Sequence, residues 1–393
     1  MAAKFRAGAD ARPITPDLSA ETVYLAGFDP DRPATGVHDD LMVRTVAISD
    51  GGTPVVVSVC DLVGLTRTHE AKGSHVVACT HTHHGPDGLG FWGRPLEGVT
   101  GIDAGYLERV RRTVEASRTA AVAALEPCSL RSGSVQVEGV VANFRNPDVI
   151  DDELSVLQAV RGDGTAVATL AVFACHPEVV AADSTEVTAD FPGYFCSAVE
   201  QQFGGVAVFA VGALGGMQSP ATEVRTHEEA RRIGELLAAA VGPALDGAAD
   251  QPDPVVTIDR TEVVIDLQNP IYELGMELGL VPGAERRNGG IVTEVSLVRL
   301  GDALVANVPG ELFPELGLRL KEAMRSTGAT TPVVIGLADD ELGYLVPEED
   351  FVTPADYLDP GAQYEESFSP GPSAATAVVG ALLDLVARTG ATA

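Results

Sequence analysis

Three histidines and a glutamate stand where apolar runs of this chain stop. His81 and His83 follow HVVACT, His176 follows ATLAVFAC, and Glu311 follows LVANVPG. Residues i and i+2 of an extended segment point to the same side, so His81 and His83 share a face and His84 looks away. Two neutral imidazoles and a carboxylate are a familiar catalytic zinc set that leaves room for water. Zinc lowers the pKa of that water to about 7, which makes hydroxide available at neutral pH. The spacing leaves two arrangements open: both histidines ligate, or one ligates while the other contacts substrate. A lone histidine at a strand end is more often a hydrogen-bonded structural residue, but three at loop mouths from two separate runs shift weight towards a metal site. Cys79 and Cys175 keep a thiolate ligand open, although free cysteines in apolar strands mostly behave as small hydrophobes.

The elements that must position these residues are read from periodicity. Leu41–Ser49 and Pro54–Val59 form a hairpin around Gly51-Gly52, and His75–Thr80 is a further strand. Leu154–Val160 and Ala166–Cys175 form a second hairpin around Gly162-Asp163-Gly164, and Val206–Val211 is a buried strand. Strands are also expected at Cys128–Val141, Val255–Leu267, Ile291–Leu300, Ala303–Val308 and Val333–Leu337. Helical spacing marks Tyr106–Leu125, Phe191–Phe203, His227–Leu245, Phe313–Met324 and Ala374–Arg388. Residues 1 to 40 are rich in Pro and Gly and read as turns. The fold class is therefore α/β, a mixed β-sheet core with antiparallel hairpins flanked by helices. One domain over 1–393 is expected, with Pro252–Pro254 the best candidate for an internal boundary.

Composition narrows the function. The 393 residues carry 26 Lys+Arg against 56 Asp+Glu, a net charge of −30. That surplus repels a phosphate backbone and an anionic membrane surface, so no nucleic-acid partner is expected. The longest apolar runs, Ala166–Cys175 and Val206–Met217, fall short of the ~18 to 20 residues of a membrane span. No signal-peptide pattern opens the sequence, so a cytoplasmic protein is expected, with a secreted mature form as the alternative. Five cysteines without regular spacing are not a disulfide framework.

The run Gly36-Val37-His38-Asp39-Asp40-Leu41-Met42-Val43-Arg44 resembles a segment of the neutral/alkaline (non-lysosomal) ceramidase family. Thr80-His81-Thr82-His83-His84-Gly85-Pro86 is similar to that family's Thr-His-Thr-His-Ser-Gly-Pro motif. The likeness continues in order through Phe173-Ala174-Cys175-His176-Pro177, Ala189-Asp190-Phe191-Pro192-Gly193-Tyr194, Pro309-Gly310-Glu311, Gly343-Tyr344 and Gln363-Tyr364-Glu365. It spans roughly residues 7 to 388.

The resemblance implies a zinc-dependent amidase. His81, His176, Glu311 and Tyr364 would hold Zn2+, His83 would contact the substrate carbonyl oxygen, and Arg145 would line the site. The family's Gly-Asp-Val-Ser-Pro turn stands here as Gly215-Gly216-Met217-Gln218-Ser219-Pro220, which makes Ser219 the counterpart of its serine if one residue is inserted, or Gln218 if none is. His84 replaces the motif's serine. The family's ceramidases also carry a C-terminal immunoglobulin-like domain, and none is expected here. Other readings stay beside these: Glu311 as a helix cap, Tyr344 as the tyrosine ligand, Arg145 as an ordinary ion-pair partner, and Phe91 and Trp92 either lining a pocket mouth or packing their own loop. The expected substrate is an N-acyl amide, ceramide-like or smaller. The alternatives are a zinc esterase or lactonase, and a metal-stabilised relative without turnover.

Overall fold

Continuous apolar runs flanked by turn residues become the strands of two sheets. The computed structural model describes residues 5–67, 73–252, 254–279 and 283–390. The larger sheet has eight strands in the order Val206–Val211, Ala166–Phe173, Glu153–Val160, Glu126–Gln136, Phe5–Pro13, Met42–Ser49, Val55–Cys60, His75–Cys79. Its two outermost pairs are parallel and the pairs between them antiparallel. The second sheet is built on Val256–Asp266, Gly290–Leu300, Ala303–Asn307 and Thr331–Ile335, and its last pair is parallel.

The sheets face one another. Val46, Val57, Val76, Leu130, Leu170 and Val208 of the first share one apolar core with Val298, Val305, Val333 and Ile335 of the second. Helices close the outer faces. Ala104–Ala123 covers one half of the larger sheet through Val110 and Val114. Asp190–Phe203 and His227–Leu245 cover the other half through Phe195 and Leu237. Pro314–Ser326 and Ala374–Gly390 cover the second sheet through Leu320, Val378 and Leu382. Phe209 receives the edges of Phe191 and Phe195 at centroid distances of 5.5 and 5.1 Å, pairs worth about 0.5–1.5 kcal/mol each beyond their burial.

The mixed α/β expectation holds, with instructive differences. Phe5–Pro13 lies inside the larger sheet although its sequence, FRAGADARP, has little β propensity and reads as a turn-rich start. Partners on both sides override that local preference. Gly8 is needed there because a Cβ would come within 2.2 Å of the Ala121 carbonyl oxygen on the covering helix. The expected strand Cys128–Val141 divides into Glu126–Gln136 and Val141–Asn143, and the latter pairs with Gln218–Pro220. A short helix, Pro270–Glu277, also forms, capped by the Asn269 side chain.

The parallel pairs decide where a site can lie. The segment after Thr331–Ile335 crosses both margins of the larger sheet: Gly336 N donates to Val211 O and Asp339 N to Val77 O. The carboxyl ends of His75–Cys79, Ala166–Phe173, Val206–Val211 and Ala303–Asn307 thus meet around one crevice, the usual place for a ligand beyond parallel strand ends.

Candidate metal centre

His81, His83 and His176 converge in that crevice, one ring nitrogen of each within 4.8 Å of the others, and all three are buried. The convergence does not come from a pleat. Residues 80–84 lie beyond the strand, and His81 sits in the left-handed region at φ 65°. Its backbone N–H donates to Leu62 O and its Nδ1–H to Val63 O at 2.6 Å, so two bonds hold the uncommon conformation. His176 is held likewise: its backbone N–H and Nδ1–H both donate to Gln218 O at 3.0 Å.

A carbonyl only accepts, so Nδ1 of each imidazole carries a proton and Nε2 is the atom turned inward. Both Nε2 atoms face the Glu311 carboxylate, with Oε2 3.0 Å from His176 Nε2 and 3.5 Å from His81 Nε2. A carboxylate and two imidazole nitrogens so close are held by positive charge between them, either protons on Nε2 or a metal ion. Metal–ligand bonds of about 2.05 Å in a tetrahedron place neighbouring ligand atoms about 3.3 Å apart, so the set fits a divalent ion. Burial pushes Glu311 towards its neutral form, but the facing histidines outweigh it and bring its pKa to about 2. Burial likewise opposes the charge on His176, yet the hydrogen bond and charge of Glu311 raise it to about 9.

His83 is differently placed. Its Nδ1 lies 3.5 Å from Glu178 Oε2, and its ring meets the edge of Phe28 at 4.8 Å. Burial, then the adjacent His81 and His176, hold its pKa well below the usual imidazole range. A Cβ on residue 27 would meet the ring at 2.3 Å, and Gly27 has φ 103°, so only glycine leaves His83 its position. His84 turns away, as its place in the motif suggested, towards Ala181 O and Arg32.

Tyr364 opens the short helix Tyr364–Ser367 at the mouth and is 40% exposed. Burial and then the charge of Glu311 raise the pKa of its hydroxyl. The Tyr344 hydroxyl instead bonds the Met217 sulfur at 3.5 Å. The Arg145 guanidinium is occupied by two buried carboxylates, Glu365 at 2.8 Å and Glu366 at 2.8 and 3.1 Å, and stacks over Phe313. It clamps the helix that carries Tyr364. In the turn at 215–220, Gln218 supplies the carbonyl that orients His176, while its side chain ties Asp151 and Ala174. Ser219 is buried beside it. Glu311 sits in a two-residue strand before helix Pro314–Ser326, and its carboxylate is directed at the histidines.

Cys79 and Cys175 are buried, burial raises both thiols well above their usual range, and the group of ligand atoms that converges here is His81, His83 and His176 without either cysteine. Trp92 donates its indole N–H to Phe28 O, which links the loop after the His motif to the ring packed on His83. Phe91 contacts Tyr272 on the helix Pro270–Glu277. Glu178 and Phe28 were missed in the sequence. The adjacency of Glu178 to His176-Pro177 was a usable signal for the first; nothing local marks the second.

No family model and no curated protein matches the sequence. Solved structures do. Neutral ceramidase from Pseudomonas aeruginosa superposes with a TM-score of 0.79 at 18% identity, over 100% of this chain and 75% of that one. A structure described as ceramidase complexed with C2 gives 0.77 at 18% identity, over 98% and 75%. The chain has the fold of these ceramidases along its full length, in agreement with the ordered motifs.

Proposed function

We propose that this protein is a metal-dependent hydrolase that cleaves the amide bond of an N-acyl substrate. The observation that carries the reading is the anchoring of His81 and His176 through Nδ1, which turns both Nε2 atoms to Glu311 at ligand spacing. Tyr364 is the proposed fourth ligand, and zinc the ion that suits this N/O set. When bound, such an ion lowers the pKa of water and polarises a carbonyl. The likeness to structures named as ceramidases supports an amide rather than a phosphoester substrate, by analogy of fold.

The chain's own residues supply the rest. His83, neutral at physiological pH, donates an N–H to the carbonyl oxygen as negative charge grows there. Glu178 Oε2 lies 3.5 Å from its Nδ1, and the ring takes up the proton that the attacking water releases and passes it to the leaving nitrogen. Arg145 acts at one remove by holding Tyr364 through Glu365 and Glu366. Ser219, with its hydroxyl buried behind the His176-orienting carbonyl, serves the oxyanion through its turn. Phe28, Tyr364 and the half-exposed Phe368 give the mouth an apolar side suited to an acyl chain. No helix among the described residues is long and apolar enough to cross a membrane.

The test is elemental analysis for zinc combined with hydrolysis of short and long N-acyl amides and the matching esters. Stoichiometric metal with chelator-sensitive amide turnover is expected. Turnover of esters alone, or metal without turnover, overturns the amidase assignment, and full metal in His81→Ala/His176→Ala overturns the ligand assignment.

A further inference from the structure

A second set of metal-binding side chains gathers outside the crevice. His38 follows the two-residue strand Gly36–Val37, Glu186 begins the strand Glu186–Val187 paired with it in parallel, and His227 opens the helix His227–Leu245. One ligand atom of each lies within 4.8 Å of the others. His227 Nε2 is 3.6 Å from Glu186 Oε2, and His38 Nε2 is 2.9 Å from the Tyr194 hydroxyl and 4.0 Å from Asp39 Oδ2.

We propose that His38, Glu186 and His227 form a second divalent transition-metal site of the zinc, copper or nickel class, independent of the buried centre. Two imidazoles and a carboxylate suit those ions rather than magnesium or calcium. His227 occupies the first turn of a long helix, where the helix dipole disfavours imidazolium, so its lone pair is available at neutral pH. Its Nδ1 is buried and without a hydrogen-bond partner. The protein's charge of −30 draws cations to its surface. Arg231 is the nearby opposing charge, and it is engaged over the Tyr194 ring at 4.8 Å.

The two rings are stacked at 3.6 Å and 9°. Ligation by both requires one ring to turn so that the lone pairs meet. Both side chains reach solvent, at 33% and 20% exposure, which leaves room for the turn. An ion there would tie the helix to the small parallel pair. Asp39, next to His38, accepts from Thr188 Oγ1 and Ala189 N, and Thr188 O accepts from Thr82 Oγ1, between His81 and His83. The outer site thus braces the wall of the catalytic loop.

The experiment is calorimetric zinc titration of the full chain, with elemental analysis and thermal melting, on the wild type, His38→Ala/His227→Ala, Glu186→Gln and His81→Ala/His176→Ala. The wild type is expected to bind a second, weaker equivalent that raises its melting temperature. His38→Ala/His227→Ala keeps the first equivalent and loses the second together with its thermal shift. Glu186→Gln weakens the second by about tenfold or more. Binding there declines as pH falls below about 6, where imidazoles protonate. A second equivalent unchanged in the double variant, or none in the wild type at about 100 μM free zinc, overturns the proposal. Loss of only the first equivalent in His81→Ala/His176→Ala separates the two sites, so failure of the buried centre leaves the outer one standing.

Discussion

The buried centre and the surface cluster use the same side chains under opposite constraints. In the crevice, backbone carbonyls of Val63 and Gln218 fix the ring orientation of each histidine, and both Nε2 atoms already face Glu311. At the surface, His38 and His227 stack on one another, and of their carboxylate neighbours Glu186 is solvent-exposed and Asp39 half-buried. The first arrangement is preorganised, because burial makes any other orientation costly. The second has to rearrange to bind. Residue type and proximity are therefore shared by the two regions, and what separates a proposed catalytic centre from a proposed bracing one is the shell behind the ligands.

The largest expected effect tests the buried side of that contrast. Glu311→Gln removes the charge on which both histidines converge and should lower turnover by roughly a thousandfold, with zinc content falling in parallel. Retention of metal and rate would break the comparison. Arg145→Ala leaves Glu365 and Glu366 buried without their partner and should destabilise the fold by about 3–5 kcal/mol in denaturant titration. Arg145→Lys should recover part of that, since an ammonium keeps the charge and loses the fork.

A pH experiment sharpens the role of burial. Burial, then the nearby Arg32 charge, lower the pKa of His84 to about 4, against about 6.5 in an unfolded chain. A lowered folded pKa means that the unfolded state binds more protons between those values. The contribution is fully present above about pH 6.5 and is lost as pH falls towards 4, a total of about 3 kcal/mol. His84→Gln should flatten the stability profile in that window, read by chemical denaturation at each pH. Gly27→Ala should lower kcat by about a hundredfold through displacement of the His83 ring, with secondary structure unchanged by circular dichroism. Smallest is the surface: without added metal, His38→Ala/His227→Ala should stay within about 0.5 kcal/mol of the wild type. A larger loss would mean that the stacked pair is itself structural.

Much of this was legible beforehand because strong local signals agree with the tertiary outcome. The hairpins at Gly51-Gly52 and Gly162–Gly164, the helix His227–Leu245 and the strand Val206–Val211 each carry an unmistakable period or turn. Phe5–Pro13 escaped because its place is set by neighbours and by the close helix above Gly8, not by its own residues. Arg145 makes the ion pairs that stood as one of its two readings, but which carboxylates it meets was not legible, since Glu365 and Glu366 lie more than two hundred positions away. The i, i+2 argument reached the right pair, His81 and His83, through the wrong backbone, because a left-handed residue does there what a pleat was expected to do.

By itself the sequence determined the inventory: which residues can ligate, that they stand at strand ends, that the chain carries a net charge of −30, and that a mixed sheet must carry them. Only the tertiary structure decided the geometry. Which carbonyl accepts from His81 or His176, that Glu178 meets His83, and that His38 meets His227 are long-range events. They depend on how parallel strand ends and helix starts from distant segments are brought together, and no local period encodes that.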